Sequence, residues 1–493
     1  MKRPAVIMIT SNGVGAGHLI RASAIARRLK EEARPIILSM AYSVVEVSTA
    51  LGIESEFVPG RDKGLMGRRK WDEYLRDRIC ALIDETDAKV VTFDGVVPYP
   101  GILAAKFRRP GVSFIWIRRG MWQKKPQGIA LSLQSKLMDY VIEPGDVARE
   151  YDKGPTKDRV EAVLTSPVSL YDPEKSLSKK AARKKLGLSQ EKSTVLVQLG
   201  VGERDLDDRV SAVLRGLSKW PDVEIVMAKE PRSHKGEPLV PRGVEVKVIR
   251  HFPLADVIHA FDAIVCAAGY NSVHEVIPAK IPTLLIANNR GTDDQVARAK
   301  WCEDYELTLY ADNESLSEIE VKARDLMNHE TRLKLTQMCQ RIPKFEGDRE
   351  IASMIKMLSN ENVSSLIFKR MRYQRFLAQS AIERGIGYAI RRFANSLLRF
   401  AAIVYRTIFP HKREISPETE VVFSQSQNID FCSPLIKGSR RFEHMLFGSS
   451  DLYRQSREKI ALKAYQIDRT AIVYEEASGT EGSISLSSAT IRK

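Results

Sequence analysis

Short apolar runs alternate with amphipathic helical stretches along the first 345 or so residues, and no other feature restricts the possible folds of this chain as strongly. AVIMIT, PIILSM, KVVTF, VSFIWI and YVIE are separated by segments such as RASAIARRLKEEA and WDEYLRDRICALIDE. Runs this uniformly apolar belong to strands covered on both faces, so a parallel sheet between helix layers is expected. From Ser166 to Ser193 the pattern gives way to a polar stretch containing Pro167 and Pro173, then restarts as TVLVQLG, VEIVMA, VEVKVI, AIVCAA and PTLLIA. The expectation is an α/β chain of two Rossmann-like, doubly wound domains, residues 1–165 and 166–362, the second ending in a return helix. A basic amphipathic helical segment at 363–413 and a weakly structured tail at 414–493 would follow.

Composition bounds the function classes. Hydrophobic residues at 43% and charged residues at 28% fit a folded globular protein. The five cysteines are scattered without a CxxC pair, which argues against a disulfide framework or a zinc site and fits a reducing cytoplasm. The N-terminal apolar run is too short for a signal-peptide core, and no stretch is long and apolar enough to span a bilayer. The formal net charge of +15 calls for an anionic partner. Much of it sits between residues 366 and 413, where eleven Lys or Arg face the single acid Glu383. There Ile382, Ile386, Ile390, Phe393, Leu397, Phe400, Val404 and Ile408 recur at helical spacing, with Arg384, Arg391, Arg399 and Arg406 on another face. Such a helix suits an anionic membrane surface, or else packs onto the preceding domains. No nucleic acid is expected, because the tail lacks the glycine-aromatic signature of common RNA modules.

Chemistry concentrates where strands run into helices. The first strand leads into SNGVGAGHLIRA, in which Gly13, Gly15 and Gly17 precede His18. The spacing is not G-x-G-x-x-G, which disfavours a dinucleotide coenzyme. His18, with a pKa near neutrality, can take a proton from an acceptor hydroxyl or simply satisfy the loop. Asp94, closing KVVTFD, is a rival base or an orienting partner for it. Arg118, Arg119 and Trp122 in IRRGMW are candidate acceptor contacts, with a solvent-facing basic loop as the alternative. In the second half Gly200 and Gly202 form another glycine loop, and Asp205 and Asp207 spell a DxD that reads as ordinary helix-dipole partners, so no metal is assigned. In AIVCAAGYNSVHEV, Gly269, Asn271 and Ser272 offer bare backbone and polar groups to a diphosphate at a helix start. Glu275 follows about one and a half turns later, placed to accept paired ribose hydroxyls.

These motifs resemble the donor-binding signature of glycosyltransferase family 28, the GT-B family that contains the MurG-type and monogalactosyldiacylglycerol synthase-type enzymes. The GVGAGH loop is similar to that family's glycine-histidine loop, and Ser166 to Val168 falls where the family changes domain. The resemblance covers roughly residues 1 to 360. It implies that Gly269, Asn271 and Ser272 lie against the donor diphosphate, that Glu275 holds the ribose and that Phe252 sits beside the base. Asp294 and Gln295 would contact the transferred sugar, and His18 would face the acceptor. VGERD departs from the family's second loop, which leaves Gly202 less securely assigned. The implied activity is inverting transfer of a hexosyl or N-acetylhexosaminyl group from a UDP-sugar, without a cofactor, to a lipid-linked or polysaccharide acceptor. Such an enzyme would be cytoplasmic and peripheral on the inner face of the membrane. A UDP-sugar 2-epimerase of the same fold, or a non-catalytic membrane- or nucleic-acid-binding protein, are the alternatives.

Overall fold

The computed structural model describes residues 3–11, 16–41, 43–61, 67–109, 111–123, 129–157, 159–200, 206–228 and 240–360, with a short antiparallel pairing of Glu420–Val422 and Thr490–Arg492. Gly13, Gly15, Gly202, Asp205 and the basic segment 366–413 lie outside the described residues.

The first sheet has seven parallel strands in the order β3-β2-β1-β4-β5-β6-β7. They are β1 (Ala5–Thr10), β2 (Arg34–Ser39), β3 (Glu54–Phe57), β4 (Val90–Asp94), β5 (Ser113–Ile117), β6 (Tyr140–Glu143) and β7 (Ala162–Leu164). β1 is buried along its whole length because the pleat sends alternate side chains into two cores. Val6 and Met8 join one with Ile25 of helix α1 (Gly17–Leu29), while Ile7 and Ile9 join the other with Leu75 and Ile79 of helix α3 (Arg68–Thr86). α2 (Val44–Leu51) and α4 (Pro100–Arg108) complete these layers, and α5 (Ile129–Leu137) precedes β6.

The second sheet repeats the plan with six parallel strands, β10-β9-β8-β11-β12-β13. These are β8 (Ser193–Gln198), β9 (Val223–Ala228), β10 (Val246–Ile249), β11 (Ala263–Ala267), β12 (Thr283–Ile286) and β13 (Leu309–Ala311). Helices α6 (Lys179–Leu186), α7 (Leu206–Leu217), α8 (Tyr270–Ala279), α9 (Gln295–Asp304), α10 (Leu316–Asp325) and α11 (His329–Cys339) surround it. α12 (Gly347–Ser359) then crosses back and packs on α1 of the first unit. Its buried Ile351, Ile355 and Leu358 recur at helical spacing, each contributing about 1.5–3 kcal/mol of apolar burial. A side chain at Gly347 would collide with the Ser166 carbonyl, so the crossing requires glycine there.

In both sheets the strand order reverses beside the first strand of the unit, between β1 and β4 and between β8 and β11. A crevice opens outside the carboxyl ends of parallel strands at such a reversal, which is where doubly wound folds bind ligands. The fold is therefore GT-B, two Rossmann-like units each with its own switch point.

Candidate active site

At the first switch point the register pairs Thr10 of β1 with Asp94 of β4, so the Asp94 carboxylate stands at the strand ends. α1 begins at Gly17 and carries His18 in its first turn. His18 Nδ1 lies 2.7 Å from Asp94 Oδ1. An ionised carboxylate only accepts, so Nδ1 carries the proton of this bond and Nε2 keeps a lone pair. Arg21, one turn further along α1, grips the same carboxylate with a fork: Nε to Oδ2 at 2.7 Å, and Nη2 to Oδ1. Burial opposes the charge on Asp94, but the Arg21 guanidinium and the His18 ring hold its carboxyl below the usual range. Desolvation pushes His18 down, Asp94 pushes it up, Arg21 and Arg119 push it down again, and the net direction is below an ordinary histidine.

The second switch point faces the first. Gly200 follows β8 with φ +86°, and a side chain there would press on Asn288 as well as strain the backbone. Gly269 caps α8, leaving its N-terminal N–H groups on open backbone. Asn271 Nδ2 donates to the Gly17 carbonyl at 2.9 Å, which joins the starts of α8 and α1 across the crevice. Ser272 lies on the same turn. Glu275 is half-buried with no hydrogen bond among the described residues, and desolvation raises its carboxyl to about 8. Phe252 is partly buried against the core that contains α1.

The loop after β12 closes the crevice at a third place. Arg119 Nη1 pairs with Asp293 at 3.2 Å, Arg119 Nη2 reaches the Thr292 carbonyl at 3.4 Å, and Asp294 N donates to the Met121 carbonyl at 3.0 Å. Asp294 Oδ1 caps α9 through the Ala297 amide at 3.0 Å. Gln295 is turned inward: its Oε1 accepts from Asn288 N at 2.9 Å and its Nε2 donates to Asp293 at 3.1 Å. Burial would raise Asp293, yet Arg119 and Arg298 bring it down to about 2.

Two sequence expectations need correction. Arg118 is fully buried and pairs through its two terminal nitrogens with Glu143 at 3.0 Å and Glu161 at 2.8 Å, so it braces the sheet instead of meeting an acceptor. Trp122 is buried in the core beside α3. Of IRRGMW only Arg119 reaches the crevice. Asp207 lies in the first turn of α7, as a dipole partner should.

Three further residues build the site. Arg21 carried a signal, since it sits three positions after His18 and so on the same helix face. Tyr270, whose hydroxyl accepts from Val168 N and donates to the Gly145 carbonyl, both at 2.9 Å, ties the segment crossing between the units to the loop after β6. Arg298 pairs with Asp146 at 2.8 Å, also across the units. Nothing in sequence spacing joins residues so far apart.

No family model matches the chain. It is 25% identical over 323 residues to the UDP-N-acetylglucosamine–N-acetylmuramyl-(pentapeptide) pyrophosphoryl-undecaprenol N-acetylglucosamine transferase of Saccharopolyspora erythraea, covering 61% of this chain and 79% of that one. The Rhodococcus erythropolis protein of the same name is 24% identical over 322 residues, covering 60% and 79%. Among solved structures, spinosyn forosaminyltransferase SpnP superposes with a TM-score of 0.53 at 14% identity over 73% of this chain and 100% of its own. A Listeria monocytogenes protein described as a candidate UDP-N-acetylglucosamine 2-epimerase gives 0.52 at 13% identity, over 73% and 98%. The sequence relatives are of the MurG type that the motifs resemble, and the solved structures share the two-unit fold.

Proposed function

We propose that this chain is a UDP-sugar-dependent glycosyltransferase that moves a hexosyl or N-acetylhexosaminyl group, with inversion, to a hydroxyl of a lipid-linked acceptor. The observation that carries this reading is a histidine held by Asp94 at 2.7 Å through Nδ1, across a crevice from a helix N-terminus without a side-chain cap. Its relatives act, by their names, on a UDP-sugar and an undecaprenol-linked acceptor, which supports the donor and acceptor classes.

In this reading the diphosphate lies on the N-terminus of α8 at Gly269, Asn271 and Ser272, with Gly200 supplying open backbone from the other side. Glu275 accepts the ribose hydroxyls, Phe252 borders the base, and Asp294 meets the transferred sugar. Gln295, whose amide is spoken for, shapes that loop. The acceptor enters from the glycine-histidine loop beside Arg119. His18 Nε2 takes the hydroxyl proton, the acceptor oxygen bonds to the anomeric carbon from the face opposite the leaving group, and the carbon–diphosphate bond breaks with its electron pair on UDP. The helix dipole and N–H groups of α8 stabilise that departing charge. The basic amphipathic sequence at 366–413 would bring the enzyme to an anionic leaflet on the cytoplasmic side.

One experiment addresses donor, acceptor and membrane together. The full chain is incubated with UDP-sugars and vesicles of bacterial lipid extract, the vesicles are floated, and the lipid fraction is read by anomeric NMR. Sugar in the lipid fraction with the anomeric configuration reversed, and protein floating with it, is expected. Conversion of free UDP-sugar to its epimer, with none in lipid, would establish the epimerase instead.

A further inference from the structure

We infer that Arg21 is a positioning residue for proton removal: its guanidinium fixes the Asp94 carboxylate that orients His18, and its charge, beside the ring, opposes a second proton there. The inference rests on His18 being the base.

The geometry carries it. A carboxylate bonded only to the histidine could rotate about its Cβ–Cγ bond, whereas the Arg21 fork occupies both oxygens and sets the plane in which His18 must meet it. Arg21 Nη2 also stands 3.2 Å from His18 Nδ1. Because Nδ1 already donates to Asp94, these two nitrogens meet as donor against donor, and a second proton on the ring would place two cations side by side in a buried site. A histidine–aspartate pair alone does the reverse and favours the imidazolium. Arg21 thus lets Asp94 orient the ring without locking a proton onto it.

The charged groups around His18 come from every neighbouring element. Asp94 from β4 attracts a proton; Arg21 from α1 and Arg119 from the loop after β5 repel it. Asp293, from the loop after β12, faces both arginines and tempers them. From α8 the neutral Tyr270 ring lies under the Arg21 guanidinium, 5.1 Å from its carbon to the ring centroid. Arg21 is 3% exposed, so this charge is not screened away by solvent. Tyr270 also opens the helix that would receive the diphosphate, so both sides of the crevice hold one guanidinium.

The test uses full-length protein with labelled histidines, in wild type, Arg21→Gln, Arg21→Lys and His18→Ala, the last assigning the His18 resonance. In Arg21→Gln the His18 titration should move up. The acid limb of kcat/KM for UDP release should move with it, while KM for the UDP-sugar stays within about twofold of wild type, since Arg21 does not touch the donor. Arg21→Lys keeps the charge and loses the fork, so its kcat should fall at all pH values with the titration little changed. An unshifted His18 titration in Arg21→Gln would overturn the inference, as would full kcat in Arg21→Lys, which also decides the matter if Arg21→Gln does not fold. His18→Ala retaining activity would instead remove the base assignment itself, whatever the titrations show.

Discussion

Glu275 is a carboxyl in a half-buried place without a hydrogen-bond partner among the described residues, a costly arrangement for a group with no task. Held at about 8 by desolvation, it is mostly protonated at pH 7 in the empty protein. Two ribose hydroxyls donating to it would favour the ionised form, so UDP binding should expel its proton. Calorimetry in buffers of different ionisation enthalpy should therefore show on the order of one proton released per UDP at pH 7, falling away as pH rises past about 8. Glu275→Gln should release none and bind UDP more weakly by roughly 1.5–3 kcal/mol, the worth of hydrogen bonds to a charged group. Buffer-independent heats for the wild type would show that the carboxyl does not ionise on binding.

Among the elements, α8 does the most, since it presents its N-terminus to the crevice and anchors the crossing between the units through Tyr270. Tyr270→Phe leaves the Gly145 carbonyl and the Val168 amide without their shared partner, and should lower stability by about 1–3 kcal/mol in a denaturant melt. An unchanged midpoint would mean that the crossing is held elsewhere. The same scale shows what the sequence could reveal. β1, β6 and β9 coincide with the apolar runs AVIMIT, YVIE and VEIVMA, because strands covered on both faces leave no other pattern. β3 escaped because it reads ESEF: Glu56 is buried against the fully buried Arg78 of α3, which donates to it at 2.6 and 2.8 Å. β7 and β13 are three-residue strands at sheet edges, too short for any periodicity. Likewise His18 was legible as the histidine closing the glycine loop and Asp94 as the acid at a strand end. Their bond, and the burial of Arg118 against Glu143 and Glu161, depend on packing between distant segments.

Across the whole molecule, two sheets of the same strand order turn their switch points toward each other, joined by Asn271 to Gly17, Arg119 to Asp293 and the return helix α12. In the proposed reading each unit supplies half of the reaction, the first the base His18 and the second the donor cradle at the start of α8. Only their apposition makes group transfer the natural use of the crevice. The direct measurement is UDP release from a panel of UDP-sugars with bacterial lipid extract, comparing wild type with His18→Ala and Glu275→Ala. The account predicts release that requires the extract and falls by about 100-fold or more in His18→Ala, the usual scale of general-base catalysis, with Glu275→Ala losing chiefly donor affinity. Extract-dependent release that both variants retain at the wild-type rate would contradict it.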